Sequence, residues 1–298
     1  PGPGKEPPAA AAAEAPRKGP RRHHWPHALG NVGSYGTSPH VGPRDLNASL
    51  AWRWTQQDMA VLPGGALLDD ESFIYVSALD GVRKFSPAGQ IIWHYRTREV
   101  MQSCPSLLGD ALFGCTVDGT VFALDLDAGT ELWSKRYALG AEMDTPYVEA
   151  DDGVVLYIAE RGLDSMGYHM GNTKVTAMNV SDGSRLWEYK SPTVLWNFMP
   201  IFVGDGTFIV MDIHGGVFRM RLHDGGMVWQ APPPEAYKYS FTDGGVILGP
   251  EGMVYACANL EFGQTDTMGA LRAYHMSDGR PLWEQRLPQP CVSWAASD

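Results

Sequence analysis

Long apolar runs are missing from this chain. No stretch approaches the roughly 18 consecutive apolar residues that a membrane-spanning helix needs, so no such helix is expected. Cysteine is scarce: Cys104, Cys115, Cys257 and Cys291 include no adjacent pair and no CxxC, which argues against a disulfide framework and a zinc ribbon. The nine His residues contain no HExxH, and GxSxG, GxxxxGK and GxGxxG signatures are absent as well. Carboxylates do cluster at Asp69-Asp70-Glu71 and Asp151-Asp152, but without EF-hand spacing; both are expected in turns, solvated rather than metal-bound. Positive charge is also short, with 23 Lys and Arg against 34 Asp and Glu. Lys5, Arg17, Lys18, Arg21 and Arg22 against Glu6 and Glu14 give the first 24 residues +3, so the remainder carries −14 of the net −11. An acidic body of this kind argues against nucleic acid as the main partner.

Glycine, by contrast, is plentiful and periodic. Five Gly-x-x-x-Trp pairs occur, Gly89/Trp93, Gly129/Trp133, Gly183/Trp187, Gly225/Trp229 and Gly279/Trp283, with the Trp residues 40, 54, 42 and 54 positions apart. Periods of this size belong to four-stranded propeller blades. The clearest repeat runs from Ser103 to Trp133. Pro105–Leu108, Ala111–Thr116, Val121–Asp125 and Glu131–Lys135 read as four strands separated by Gly109-Asp110, Asp118-Gly119 and Asp127-Ala128-Gly129 turns. The segments SPAG, LDAG, VSDG, LHDG and MSDG fit a hairpin whose type I turn is followed by a glycine at positive φ. Each Trp then falls on an outermost strand, where it is expected to close the gap to a neighbouring blade. The fold class is therefore all-β, a propeller with five full blades plus parts of another.

Residues 1–24 read as a disordered Pro/Ala-rich basic tether, and residues 25–298 as the propeller. Trp54 lies 39 residues before Trp93, which predicts a lone outer strand at Leu50–Trp54. Gln289–Asp298 begins what reads as another innermost strand, so the ring is expected to be incomplete at the C-terminal end. Around a two-residue Gly109-Asp110 turn, cross-strand partners have numbers summing to 219; Cys104 and Cys115 meet that sum and are expected side by side.

With its Ser/Pro-led inner strand, DG turns, Ala123-Leu124-Asp125 and Gly129/Trp133, the second blade resembles the repeat of the pyrroloquinoline-quinone-repeat (quinoprotein-like) β-propellers. The opening segment with Trp25, Gly30, Asn31, Gly36, Ser38-Pro39 and Trp54 is similar to that family too. The family holds quinone-dependent dehydrogenases and non-catalytic propellers such as the BamB-type lipoprotein of outer-membrane assembly. Resemblance to the enzymes implies a vicinal Cys pair beside the quinone, carboxylate and amide ligands for calcium, and about eight blades. This sequence lacks the vicinal pair and is closer to the non-catalytic branch. The expectation is a scaffold with no catalytic, cofactor-binding or metal residues and a protein or peptide partner. A fragment of a quinone-dependent oxidoreductase, with PQQ and calcium, is the alternative. Family resemblance also implies an extracytoplasmic or organellar-lumen location.

Two long repeats carry insertions, Glu160–Thr173 and Asn259–Gly269, at one internal position between second and third strands. Insertions into spare repeats mark a working face. The connections between blades, REVMQSC, GAEMDTP, TVLWNFMP and PPPEAYKYS, leave from that same face. The candidate partner-binding residues are thus Met101, Met143, Asp144, Trp196, Phe198 and Tyr239 from the connections, with Tyr168, His169 and Phe262 from the insertions. The competing expectation is that such side chains turn inward and plug the core.

Overall fold

The computed structural model describes residues 21–31, 41–45, 48–55, 65–140, 148–160, 172–195, 199–233, 245–259, 268–291 and 295. These residues contain no α-helix; a single 3-10 turn spans Pro250–Gly252. Five antiparallel four-stranded sheets follow one another in the order of the chain. Blade 1 holds β1 (Leu67–Leu68), β2 (Ile74–Ala78), β3 (Gly81–Phe85) and β4 (Ile91–Arg96). Blade 2 holds β5 (Ser106–Leu108), β6 (Ala111–Cys115), β7 (Thr120–Asp125) and β8 (Glu131–Arg136). In blade 3 the strands are β9 (Val148–Asp151), β10 (Val154–Ile158), β11 (Lys174–Asn179) and β12 (Arg185–Lys190). Blade 4 is β13 (Ile201–Phe202), β14 (Thr207–Met211), β15 (Val217–Arg221) and β16 (Met227–Ala231). Blade 5 is β17 (Val246–Leu248), β18 (Met253–Asn259), β19 (Gly269–His275) and β20 (Pro281–Leu287).

The glycine turns behave as their sequence predicts. Gly89, Gly129, Gly183, Gly225 and Gly279 all have positive φ, between 66° and 82°. In every blade the register between third and fourth strands shifts just before that turn, as at Ala123/Leu124 and Ala177/Met178. A type I turn closed by a left-handed residue and a bulge produces this pattern, and only glycine adopts it without strain.

The Trp residues explain why the turn and the indole recur together. Each indole lies on the turn glycine of the following blade: Trp93 on Gly129, Trp133 on Gly183, Trp187 on Gly225 and Trp229 on Gly279. A Cβ built on any of these glycines would come within 2.4–2.7 Å of the ring. The same indoles donate Nε1–H to the carbonyl oxygens of Leu126, Val180, Leu222 and Met276 at 2.8–3.3 Å. The apolar cores lie between sheets. One joins blades 1 and 2 (Leu67, Tyr75, Leu112, Phe122), and others follow between blades 2 and 3, 3 and 4, and 4 and 5. Burial of large side chains at each joint, at roughly 1.5–3 kcal/mol apiece, holds the array together.

At the ends of the array the pattern changes. Trp283 has no following blade among the described residues and is 43% exposed, against 8% for Trp133 and Trp229. Gly89 receives Trp52, whose Nε1 donates to the Pro87 carbonyl at 3.0 Å. The repeat spacing puts Trp54 in phase; the structure gives the interlock to Trp52, while Trp54 meets Phe85 edge-on. Residues 51–55 belong to no strand, so the Leu50–Trp54 strand is not formed. Pairing of that segment with residues 291–295 falls largely outside the described residues.

The cysteine expectation is overturned. The β5–β6 register does sum to 219, with Ser106 opposite Phe113 and Leu108 opposite Ala111. The ladder stops at Ser106, however, after Pro105, which has no N–H to extend it. Cys104 consequently turns into the core between blades 1 and 2, while Cys115 enters the core between blades 2 and 3 and meets the Ser103 hydroxyl at 3.0 Å. Both are buried and stand outside the disulfide. The disulfide forms instead between Cys257 of β18 and Cys291, which follows β20.

Candidate functional site

Antiparallel strand order sorts the loops onto two faces. Turns between first and second strands, and between third and fourth, lie on one face; the turns between second and third strands, with the connections to the next blade, lie on the other. The second is the insertion face. Blade 3 leaves residues 159–173 between β10 and β11, and blade 5 leaves residues 260–268 between β18 and β19, whereas β2 and β3 are joined by Leu79-Asp80 alone. Both long segments therefore begin and end at the strand junction that the sequence pattern indicates.

On this face the short turns use up their own carboxylates. Asp80 binds both Arg83 amino groups at 2.7–2.8 Å, and those hydrogen bonds hold its carboxyl below the usual range. Asp118 accepts from the Thr116 and Thr120 hydroxyls at 2.7 and 3.0 Å. Burial pushes its carboxyl up, but the hydrogen bonds prevail and its pKa is lowered. Asp212 accepts from the His214 and Gly216 amides and from the Thr193 hydroxyl. These acids order turns. Between blades 1 and 2 a slot of about 550 Å³ is lined by Arg98, Glu99, Thr116, Asp118 and Arg136.

Of the sequence-predicted residues, Met101 is described, and it does not rise on the face. Its amide donates to the Leu79 carbonyl at 3.1 Å and its side chain is fully buried in the core between blades 1 and 2. The connection crosses from one blade to the next, so the residue at its midpoint plugs the joint. Leu195 does the same between blades 3 and 4, with its amide on the Asn172 carbonyl. Met143, Asp144, Tyr168, His169, Trp196, Phe198, Tyr239 and Phe262 lie outside the described residues.

The opposite face holds what sequence reasoning missed. Arg21 and His23, assigned to the tether, are docked. Arg21 pairs with Asp110 and Asp127 at 2.8 Å each, its own side chain only 3% exposed. The His23 ring contacts the Gly109 carbonyl at 2.9 Å. Trp25 exchanges two backbone hydrogen bonds with Leu68 of β1, the Pro26 carbonyl accepts from the Leu107 amide of β5, and the His27 ring makes a buried hydrogen bond with Glu149 of β9. The His27 ring lies 6.0 Å from Phe202 of β13. Residues 21–30 thus form a strap that runs from the turn face into the axis, touching the innermost strands of blades 1 to 4. His23 and His27 are four residues apart but engage different partners, and the described residues contain no metal-binding group of three or more ligands. Asp69 also departs from expectation. It is fully buried and accepts from the Glu71 and Phe73 amides and the Tyr75 hydroxyl, organising the β1–β2 turn rather than being solvated.

A family model described as outer membrane protein assembly factor BamB matches residues 49–194 and 79–240 of this chain. The chain is similar to the outer membrane protein assembly factor BamB of Nitrosomonas eutropha, 26% identical over 166 residues. That match covers 54% of this chain and 37% of the relative's length. Among solved structures, BamB from Moraxella catarrhalis superposes with a TM-score of 0.52 at 17% identity, over 78% of this chain and 76% of that one. A europium-containing methanol dehydrogenase gives 0.65 at 16%, over 89% and 58%. The quinohemoprotein alcohol dehydrogenase from Comamonas testosteroni gives 0.62 at 14%, over 89% and 49%. At these identities the structural likenesses show the fold alone. Among the described residues, Cys257 is bonded to Cys291, Cys104 and Cys115 enter different cores, and Trp25 to His27 lie along the innermost strands, so no adjacent cysteine pair stands ready beside a quinone there.

Proposed function

This chain belongs to the family of outer membrane protein assembly factor BamB, and on that footing we propose that it is a non-catalytic propeller scaffold that binds a protein or peptide on its insertion face. The observation that carries the reading is the origin of both long loops at one strand junction, on one face, in a fold whose other turns are short. Aromatic and Met residues in those loops and connections, Met143, Trp196, Phe198, Tyr239, Tyr168 and Phe262, have the composition of contact patches. The relatives' name adds a role in assembling outer membrane proteins, and the proposal extends a role of that kind, holding one component of an assembly machinery, to this chain. The axial strap supports the non-catalytic side of the reading, because its own residues take the position at which inner strands converge.

Replacement of Trp196 and Tyr239 by Ala tests it. Loss of partner binding by tenfold or more with unchanged melting supports the site. A large drop in melting temperature with binding retained would show that these side chains are core, and the reading would fall.

A further inference from the structure

The strap is itself a seated peptide, and its contacts spell out what the groove beneath it recognises. Asp110 and Asp127 come from two different turns of blade 2 and converge on one guanidinium; they are 82% and 57% exposed while Arg21 between them is 3% exposed. The acid pair therefore belongs to the surface, and the arginine is what becomes covered. Next along the groove, β1 is a two-residue innermost strand that offers the Leu68 N–H and carbonyl to Trp25, the hydrogen-bonding pattern of strand addition. The following position uses only a carbonyl, from Pro26 to the Leu107 amide, so a proline without an N–H fits there. At the bottom, Glu149 is 2% exposed and needs a cationic or hydrogen-bonding partner, which His27 supplies. Four successive requirements, each met by a separate blade element, read as a recognition site.

We propose that the turn face and axial groove form a binding site for an extended basic peptide of the pattern Arg-x-His-x-Trp-Pro-His, occupied in cis by residues 21–30 and able to take the same pattern from a partner protein when the strap leaves. The site lies on the face opposite the insertions, so it goes beyond the scaffold reading and stands or falls separately from it. The body's −14 charge favours a basic ligand over the whole approach. Tethering gives the strap a high effective concentration, so an outside peptide competes poorly until the strap is weakened.

The test uses the full chain and a fluorescein-labelled peptide of residues 21–31, RRHHWPHALGN. Strap variant Arg21→Glu with Trp25→Ser should bind this peptide at least tenfold more tightly than the wild-type chain. A peptide carrying Arg21→Glu should lose at least tenfold on the same variant. Equal binding by the two chains, or no binding to a variant that melts like wild type, overturns the proposal. If the variant does not fold, hydrogen exchange on the wild-type chain decides. Amides of Trp25, His27 and Gly30 exchanging at least tenfold faster than those of β7 and β11 show a strap that opens alone; exchange only with the blades makes it plain core and ends the idea.

Discussion

The indole of Trp133 lies on Gly183 of the next blade and donates its Nε1–H to Val180 at 2.9 Å. One residue pair thus combines a backbone conformation, a close approach and a hydrogen bond, and the chain repeats it at each joint.

Gly183→Ala should be strongly destabilising. Its φ of +66° disfavours any Cβ, and that Cβ would sit 2.7 Å from the Trp133 ring. Strain and overpacking together are expected to cost about 2–4 kcal/mol. Trp133→Phe keeps much of the packing and loses the Val180 bond, for about 1–2 kcal/mol. Chemical denaturation that ranks Gly183→Ala no worse than an exposed Gly204→Ala, which meets nothing within 4 Å, would contradict the interlock.

The disulfide should matter more than the scarcity of cysteine implied. Cys257 and Cys291 enclose a separation of 34 residues, for which loop closure predicts about 3–4 kcal/mol. Melting of the oxidised chain should fall on adding a thiol reductant and match that of Cys291→Ser. Burial pushes the Cys115 thiol up to about 12, so neither it nor buried Cys104 should react with an alkylating agent in the native state. Four alkylated cysteines without reductant would refute this assignment.

Stability should decline from pH 7 towards pH 5. Burial lowers the His23 pKa from 6.5, outweighing the Gly109 hydrogen bond, and burial, followed by nearby Arg83, lowers that of His94. The unfolded chain then binds protons before the folded one does. Stability from these groups is complete above about 6.5 and is lost as pH falls below it. Melting of His23→Gln/His94→Gln should be flatter across that range; an unchanged pH profile would show that neither residue carries the effect.

The blades were legible because their signal is local and repeated: a glycine and a tryptophan four positions apart restate one hairpin five times. What escaped has the opposite character. Trp52 and Trp54 stand two residues apart, and no periodicity says which one meets Gly89. The strap's partners are distant, His27 and Glu149 being 122 residues apart, and its sequence is flanked by a Pro/Ala tract that reads as solvated. Met101 looked like a surface residue because connections usually are; this one crosses a joint, and the joint must be filled. Cys257 and Cys291 occupy different positions of the repeat, so no internal comparison paired them.

The most direct measurement is site-specific photo-crosslinking of the full chain with its partner, the adducts located by mass spectrometry. Crosslinkers are placed at Tyr168 and Phe262 in the insertions, and at Asp182 and Asp224 in third-to-fourth-strand turns of the opposite face. A binding site on the insertion face predicts adducts to one protein partner from Tyr168 and Phe262 and none to it from Asp182 or Asp224. Adducts to that partner from the Asp182 and Asp224 positions, with none from the insertions, would contradict it.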